Sequence, residues 1–335
     1  MIRVRLPEPP HELVDKGAVE LEKARAHFGN AANAGKPFTF GAYKLGPVKD
    51  ALNATFGFKC AYCESFFGAT QPLDVEHFRP KSGVLVGSDL VWGVYYWLAA
   101  SWGNLLPSCT DCNRPRKQTL PEGGEQTLGK ANQFPISSEA KRAAKEGEEK
   151  GESRLLVHPC LDHPEKHLLF EANGIVSWRS RKGEESIRVY ALLRRGLVQA
   201  RRDFQQEVLT HLTIAKGLAQ KLDGSGPDEL LEGLLRTELE ALARFMRPEH
   251  EYSATARALI EPVLAGLTGC DALTPPPTPA RSWGAARGAG PEGTVREVRA
   301  RKGPCRERRQ ADAEPGSAGR ERPPARGAHE RSAHV

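Results

Sequence analysis

KCAYCESF (residues 59–66), LDVEHFRPKSG (73–83) and WGNLLPSCTDCNRPRK (102–117) are three pieces of one stretch on which the reading of the chain turns. Two C-x-x-C pairs, Cys60/Cys63 and Cys109/Cys112, bracket a His beside a carboxylate, Glu76-His77. Four thiolates at that spacing make a closed tetrahedral zinc site with no open position, so the metal is expected to be structural. Because Cys112 precedes Asn113, such a zinc would clamp Asn113 to the knuckle ahead of the His77 strand.

Around this stretch the sequence predicts an α+β protein. VDKGAVELEKARAHF suggests an amphipathic helix through Val14, Val19, Leu21, Ala24 and Phe28. A second helix, Pro47 to Phe56, is stopped by Gly57. Pro72 to Phe78 and Leu105 to Ser108 read as short strands. Leu90 to Ser101 reads as a buried helix between them. Asp111 sits as the N-cap of a helix carrying Asn113 and Lys117. Residues 118–153 are a surface excursion anchored by Phe134, and Asn173-Gly174 is a hairpin turn. Long helices follow at Ser186–Leu222, Pro227–Phe245 and Ala254–Leu267. Expected boundaries are an N-terminal helical segment (1–56), the zinc-knuckle module (57–135), a hairpin plus helices (136–268), and an Arg/Pro/Gly/Ala-rich disordered tail (269–335).

Charge narrows the function classes. The net +6 lies entirely beyond residue 273, where thirteen Lys and Arg face seven Asp and Glu. The preceding residues are balanced at thirty-five of each sign, so nucleic-acid contact requires a local patch or a partner. The opening MIRVRLPEPPHEL has no apolar run after its basic residues, which is not the pattern of a secretory signal. The most apolar tract, Val91 to Trp102, is about a dozen residues against the ~20 of a membrane span. A cytoplasmic protein with reduced thiols is therefore expected, and Cys160, Cys270 and Cys305 read as incidental.

His77 is the candidate general base, since a neutral imidazole takes a proton from water near neutral pH. Glu76, on the opposite face of the strand, could reach a divalent metal together with Asn113. Asn104 could fix the loop and orient the imidazole, while Arg79, Lys81, Arg114, Arg116 and Lys117 could contact phosphates. His158, Cys160, His163 and His167 offer a second metal set, but Pro159 and Pro164 point to turns instead.

CAYCE, DVEHFRPK, YYWLA and NLLPSC..CNRPRK together resemble the ββα-metal HNH endonucleases, and specifically the HNH proteins of Septu and certain retron antiphage systems. The likeness covers roughly residues 35 to 215. It implies His77 as the water-activating base, Asn104 as the orienting residue, and Glu76 with Asn113 as ligands of Mg²⁺ or Mn²⁺. Glu76 stands where an Asp is common. It further implies a nucleic acid substrate, DNA before RNA, and an AAA or SMC-like ATPase partner. The alternative is a zinc-stabilised nucleic-acid- or protein-binding adaptor with a vestigial site.

Overall fold

The computed structural model describes residues 1–268; the expected tail, with Cys270 and Cys305, lies outside them. The protein is a mixture of helices and small antiparallel sheets. Helix α1 (His11–Gly29) and helix α2 (Gly46–Phe56) precede the first cysteine pair. Gly57 closes α2 in the left-handed conformation (φ 63°), a geometry that favours glycine. Along α1 the buried residues are Leu13, Gly17 and Ala24, whereas Val14 and Val19 face solvent. Ala100 lies where any side chain at Gly17 would project, so α1 packs by close approach there rather than on its valines.

Strand β1 (Asp74–His77) is followed by the hairpin β2 (Gly83–Val86) and β3 (Asp89–Trp92), and then by β4 (Leu105–Ser108). β1 pairs antiparallel with β4, setting His77 opposite Leu105 and Glu76 opposite Leu106. The helix expected over Leu90–Ser101 is not formed. Its first residues form β3, and the only helical turn within the rest is Tyr96–Leu98. Gly93 (φ 74°) and Tyr95 (φ 60°) are both left-handed, which no α-helix tolerates.

The helix expected to carry Asn113 and Lys117 is also corrected. Helix α3 is one turn, Thr110–Asn113, with Cys109 and not Asp111 at its N-cap. Pro115 is the physical reason, since the residue before a proline is pushed out of the helical region, and Arg114 is extended (φ −93°, ψ 145°). Lys117 consequently lies on β5 (Arg116–Thr119), hairpinned to β6 (Glu125–Leu128).

The hairpin at Asn173-Gly174 joins β7 (Leu168–Phe170) to β8 (Val176–Trp178), with Gly174 at φ 80°. The helix expected from Ser186 is instead two: α4 (Arg181–Val189) and α5 (Arg195–Ser225), broken at left-handed Ala191. α6 (Glu229–Phe245) and α7 (Ser253–Thr268) complete the described chain. Among the described residues no helix is long and apolar enough to cross a membrane.

The main core runs from the first knuckle to α7. Tyr62 stacks on Tyr190 at 3.8 Å between ring centres, and Arg201, fully buried, donates to the carbonyls of Gly174 and Leu192. His158 is equally buried: Nε2 donates to the Gly103 carbonyl and Nδ1 accepts from the Cys160 N–H. Burial pulls its pKa down to about 4. The unfolded chain therefore binds this proton near pH 6.5 while the folded chain does not, so stability falls between pH 6.5 and about 4. The unfolding free energy from denaturant titrations should lose about 2 to 3 kcal/mol from this group between pH 7 and 4.5. His158→Gln, which keeps a donor toward Gly103, should flatten that dependence; an unchanged slope would refute the assignment.

Candidate metal centre and adjoining cleft

The four paired cysteines meet as expected. Each is buried, and their sulfurs all lie within 4.8 Å of one another. The first knuckle is shaped by left-handed Phe58 and Glu64 and tied to β4 by Ala61 N–H donating to the Pro107 carbonyl (2.9 Å). In the second, Cys109 is the N-cap of α3 and Cys112 lies within that turn. Cys63 and Cys109 sulfurs are 3.7 Å apart. Tetrahedral zinc with sulfurs at ~2.3 Å requires about 3.8 Å between them, so the cluster can hold a structural zinc ion.

Arg194, just past the break at Ala191, sends its buried guanidinium into this cluster. Its N–H groups lie 3.5 Å from the sulfurs of Cys112 and Cys63 and 3.8 Å from that of Cys109. Burial opposes ionisation of Cys63, but hydrogen bonds from the neighbouring thiols and the Arg194 charge win, holding it well below the usual thiol range. Burial holds Cys112 high. A tetrathiolate zinc centre would carry two net negative charges, and the Arg194 guanidinium would neutralise one of them. Nothing in the cysteine pattern points to Arg194, because it lies 82 residues beyond Cys112.

β1 also forms one wall of a cleft of about 360 Å³ that includes Asp74, Glu76, His77, Lys81, Asn113 and Arg114. His77 is buried with Nε2 at 3.0 Å from the Ala99 carbonyl. A carbonyl only accepts, so that contact assigns the proton to Nε2 and leaves a lone pair on Nδ1. Tyr43 packs edge-on against the ring at 4.5 Å. Burial, then the charges of Lys81 and Lys130, hold the imidazole neutral well below its ordinary titration range. Glu76 is buried against Lys130, with 2.5 Å between Oε1 and Nζ. Burial raises its pKa while Lys130 opposes the rise. Lys130 also donates to the His77 carbonyl (2.8 Å).

Asn104 fixes the loops on both sides of the imidazole. Its Oδ1 accepts from Arg79 N–H (2.8 Å), and its Nδ2 donates to the carbonyls of Arg79 and Leu98 (3.0 and 3.1 Å). It thereby acts on His77 through backbone, since Leu98 precedes the Ala99 carbonyl that receives Nε2–H. Asn113 Nδ2 donates to Asp74 Oδ2 (3.2 Å). Asp74 also takes a two-pronged contact from Arg114 at 2.8 and 2.9 Å. Its only signal in the sequence is the two-residue spacing from Glu76, which puts both carboxylates on one strand face.

The basic residues named from sequence divide. Lys81 and Arg114 line the cleft. Arg79 turns away to Glu152 (3.0 Å) and the Glu149 carbonyl, Arg116 pairs with Asp111, and Lys117 is exposed on β5. The histidine-rich segment does not converge either: His163 meets Arg3 and Glu165, and His167 meets Ser180. Among the described residues the four cysteines are the only group of three or more His, Cys, Asp or Glu gathered closely enough to ligate a metal.

No family model and no solved structure matches the chain. Curated relatives do. Septu protein PtuB from Bacillus thuringiensis is 24% identical over 268 residues, 78% of this chain and 82% of that protein. Septu protein PtuA from Bacillus mycoides (strain KBAB4) is 32% identical over 154 residues, 45% of this chain but 20% of that protein. Septu protein PtuB from the same Bacillus mycoides strain is 38% identical over 226 residues, 65% of this chain and 72% of that protein. On that identity and coverage the chain belongs to the Septu PtuB family.

Proposed function

We propose that this protein is an HNH-type endonuclease acting in antiphage defence, hydrolysing phosphodiester bonds in DNA before RNA with an ATPase partner as regulator. The defence role draws on the family, and the chemistry draws on one observation. A buried, neutral His77, its Nε2 tied to a carbonyl and its Nδ1 free, shares a cleft with Asp74, Glu76 and Asn113. The Mg²⁺ or Mn²⁺ that the HNH resemblance implies would take the Glu76 carboxylate and the Asn113 amide oxygen, hard ligands few enough to leave room for water and phosphate. Bound by Glu76 and Asn113, such an ion would supply positive charge at the phosphate and at the departing 3′ oxygen.

The chain's own groups account for the proton and the geometry. His77 Nδ1 takes a proton from a water attacking phosphorus in line, and the P–O3′ bond breaks as the new P–O bond forms. The Ala99 carbonyl on Nε2–H holds the ring in the productive tautomer and stabilises the imidazolium that results. Lys130 offsets the cost of keeping Glu76 ionised in a buried place. Arg114, two-thirds exposed at its tip, can exchange Asp74 for a phosphate, because a guanidinium binds either with two parallel hydrogen bonds.

Water as nucleophile predicts 5′-phosphate and 3′-hydroxyl ends on both DNA and RNA. The test incubates plasmid DNA and bulk RNA with Mg²⁺ or Mn²⁺, with and without the ATPase, and maps the termini. A 2′,3′-cyclic phosphate would reject the mechanism. Identical phage protection by wild type and His77→Ala would favour the adaptor reading.

A further inference from the structure

The wall of the cleft facing β1 comes from outside the zinc-knuckle module. Tyr43, Lys44 and Lys49 line it, from the turn before α2 and the first turns of that helix. We infer that Lys44 and Lys49, with Lys81, form a phosphate-binding wall that carries the nucleic-acid strand past His77. The inference rests on the nuclease reading of the cleft and adds the N-terminal segment to its substrate-binding surface.

Three observations carry it. First, both carboxylates in the cleft are already matched, Asp74 by Arg114 and Glu76 by Lys130. By contrast, Lys44, Lys49 and Lys81 have no carboxylate within 4.0 Å among the described residues. Second, two of these ammonium groups are drawn to one ring: Lys81 lies 5.0 Å and Lys44 5.5 Å from the centre of Tyr43. Glu76, the carboxylate nearest in effect to Lys81, is already paired with Lys130, so the lysines leave an excess of positive charge that lowers the free energy of an anion-bound site. Third, the chain through residue 273 has balanced charge, so the excess of Lys44, Lys49, Lys81 and Arg114 over Asp74 and Glu76 in this cleft is local, not a sample of a basic surface.

The neighbouring groups select the occupant. His77 and Asn113 open onto the same cleft, so the anion beside the lysines lies next to the bond to be cut. The three lysines are point charges on flexible stems, which read phosphates without reading bases. The wall should therefore hold duplex and single strands alike, with no sequence preference of its own.

The test uses the full chain with zinc and Mg²⁺, in a His77→Ala background so that the probe survives. Anisotropy of a labelled DNA duplex and of the corresponding single strand is followed against salt. Adding Lys44→Ala/Lys49→Ala should reduce the slope of log affinity against log salt by about 1.8 on duplex and about 1.4 on single strand. Lys221→Ala, on α5 outside the cleft, should leave it unchanged. With His77 restored, the double lysine variant should raise KM several-fold at nearly constant kcat. If wild type cleaves but the slope and KM of the double variant are unchanged, the wall is wrong and the nuclease stands. If wild type, with and without the ATPase, neither binds nor cleaves any nucleic acid, the nuclease reading fails and takes this inference with it.

Discussion

His77→Ala is expected to lower phosphodiester hydrolysis by about 10²- to 10⁴-fold, the usual contribution of a positioned general base. The substitution also removes the donor to the Ala99 carbonyl, so some lost activity could reflect a disturbed fold. His77→Gln separates the two effects, because its amide can still donate toward Ala99 but cannot accept a proton from water. Both variants should be inactive while only the alanine loses stability. Activity restored by glutamine would remove His77 from the base role. The pH profile supplies a second check. Burial and the nearby lysines depress the His77 pKa, so the imidazole stays neutral as pH falls through 6.5. The acid limb of kcat/KM should accordingly lie below pH 6.5.

Removing zinc, or one of its ligands by Cys63→Ser, should cost more stability than any other change considered for this protein. Structural zinc sites contribute apparent binding free energies of about 10–16 kcal/mol in small peptides at neutral pH, and that energy is folding energy. Here the cluster holds the turn after α2, the end of β4 and α3 together, and Arg194 brings in the start of α5. Chelation should therefore unfold more than the knuckles, with loss of helical signal and a large fall in Tm. Retention of the native melting curve after complete zinc removal would overturn this. Arg194→Met makes a finer test: zinc should still bind, with affinity lower by about 10- to 100-fold and faster transfer to a colorimetric chelator. Arg194→Lys should restore part of the difference through its charge.

Both expectations draw on residues of unequal visibility in the sequence. The cysteine pairs were legible because zinc demands a fixed ligand chemistry and each knuckle is local. Likewise Gly57 and Asn173-Gly174 were read correctly, since a left-handed residue or a tight turn is specified by the residues within it. The helix anticipated over Leu90–Ser101 failed because its aromatic residues are apolar without helical spacing constraints. Gly93 and Tyr95 could adopt left-handed backbone only where the surrounding core over-determines it. The shortening of α3 was legible in principle from Pro115, two residues past Asn113.

The sequence by itself determined the pairing of the cysteines into two knuckles, the α+β composition and the long C-terminal helices. Those are properties of local spacing, and local spacing survives in one dimension. Only the tertiary structure decided that Arg194 faces the sulfurs, that Lys130 neutralises Glu76, that Asp74 holds the Asn113 amide, and that Arg79 belongs to Glu152. It also brought Lys44 and Lys49 to the His77 cleft. Each of these pairings joins polar or charged groups distant in the chain. A buried charge takes whichever partner the packed backbone brings within reach, and no sequence period encodes that choice.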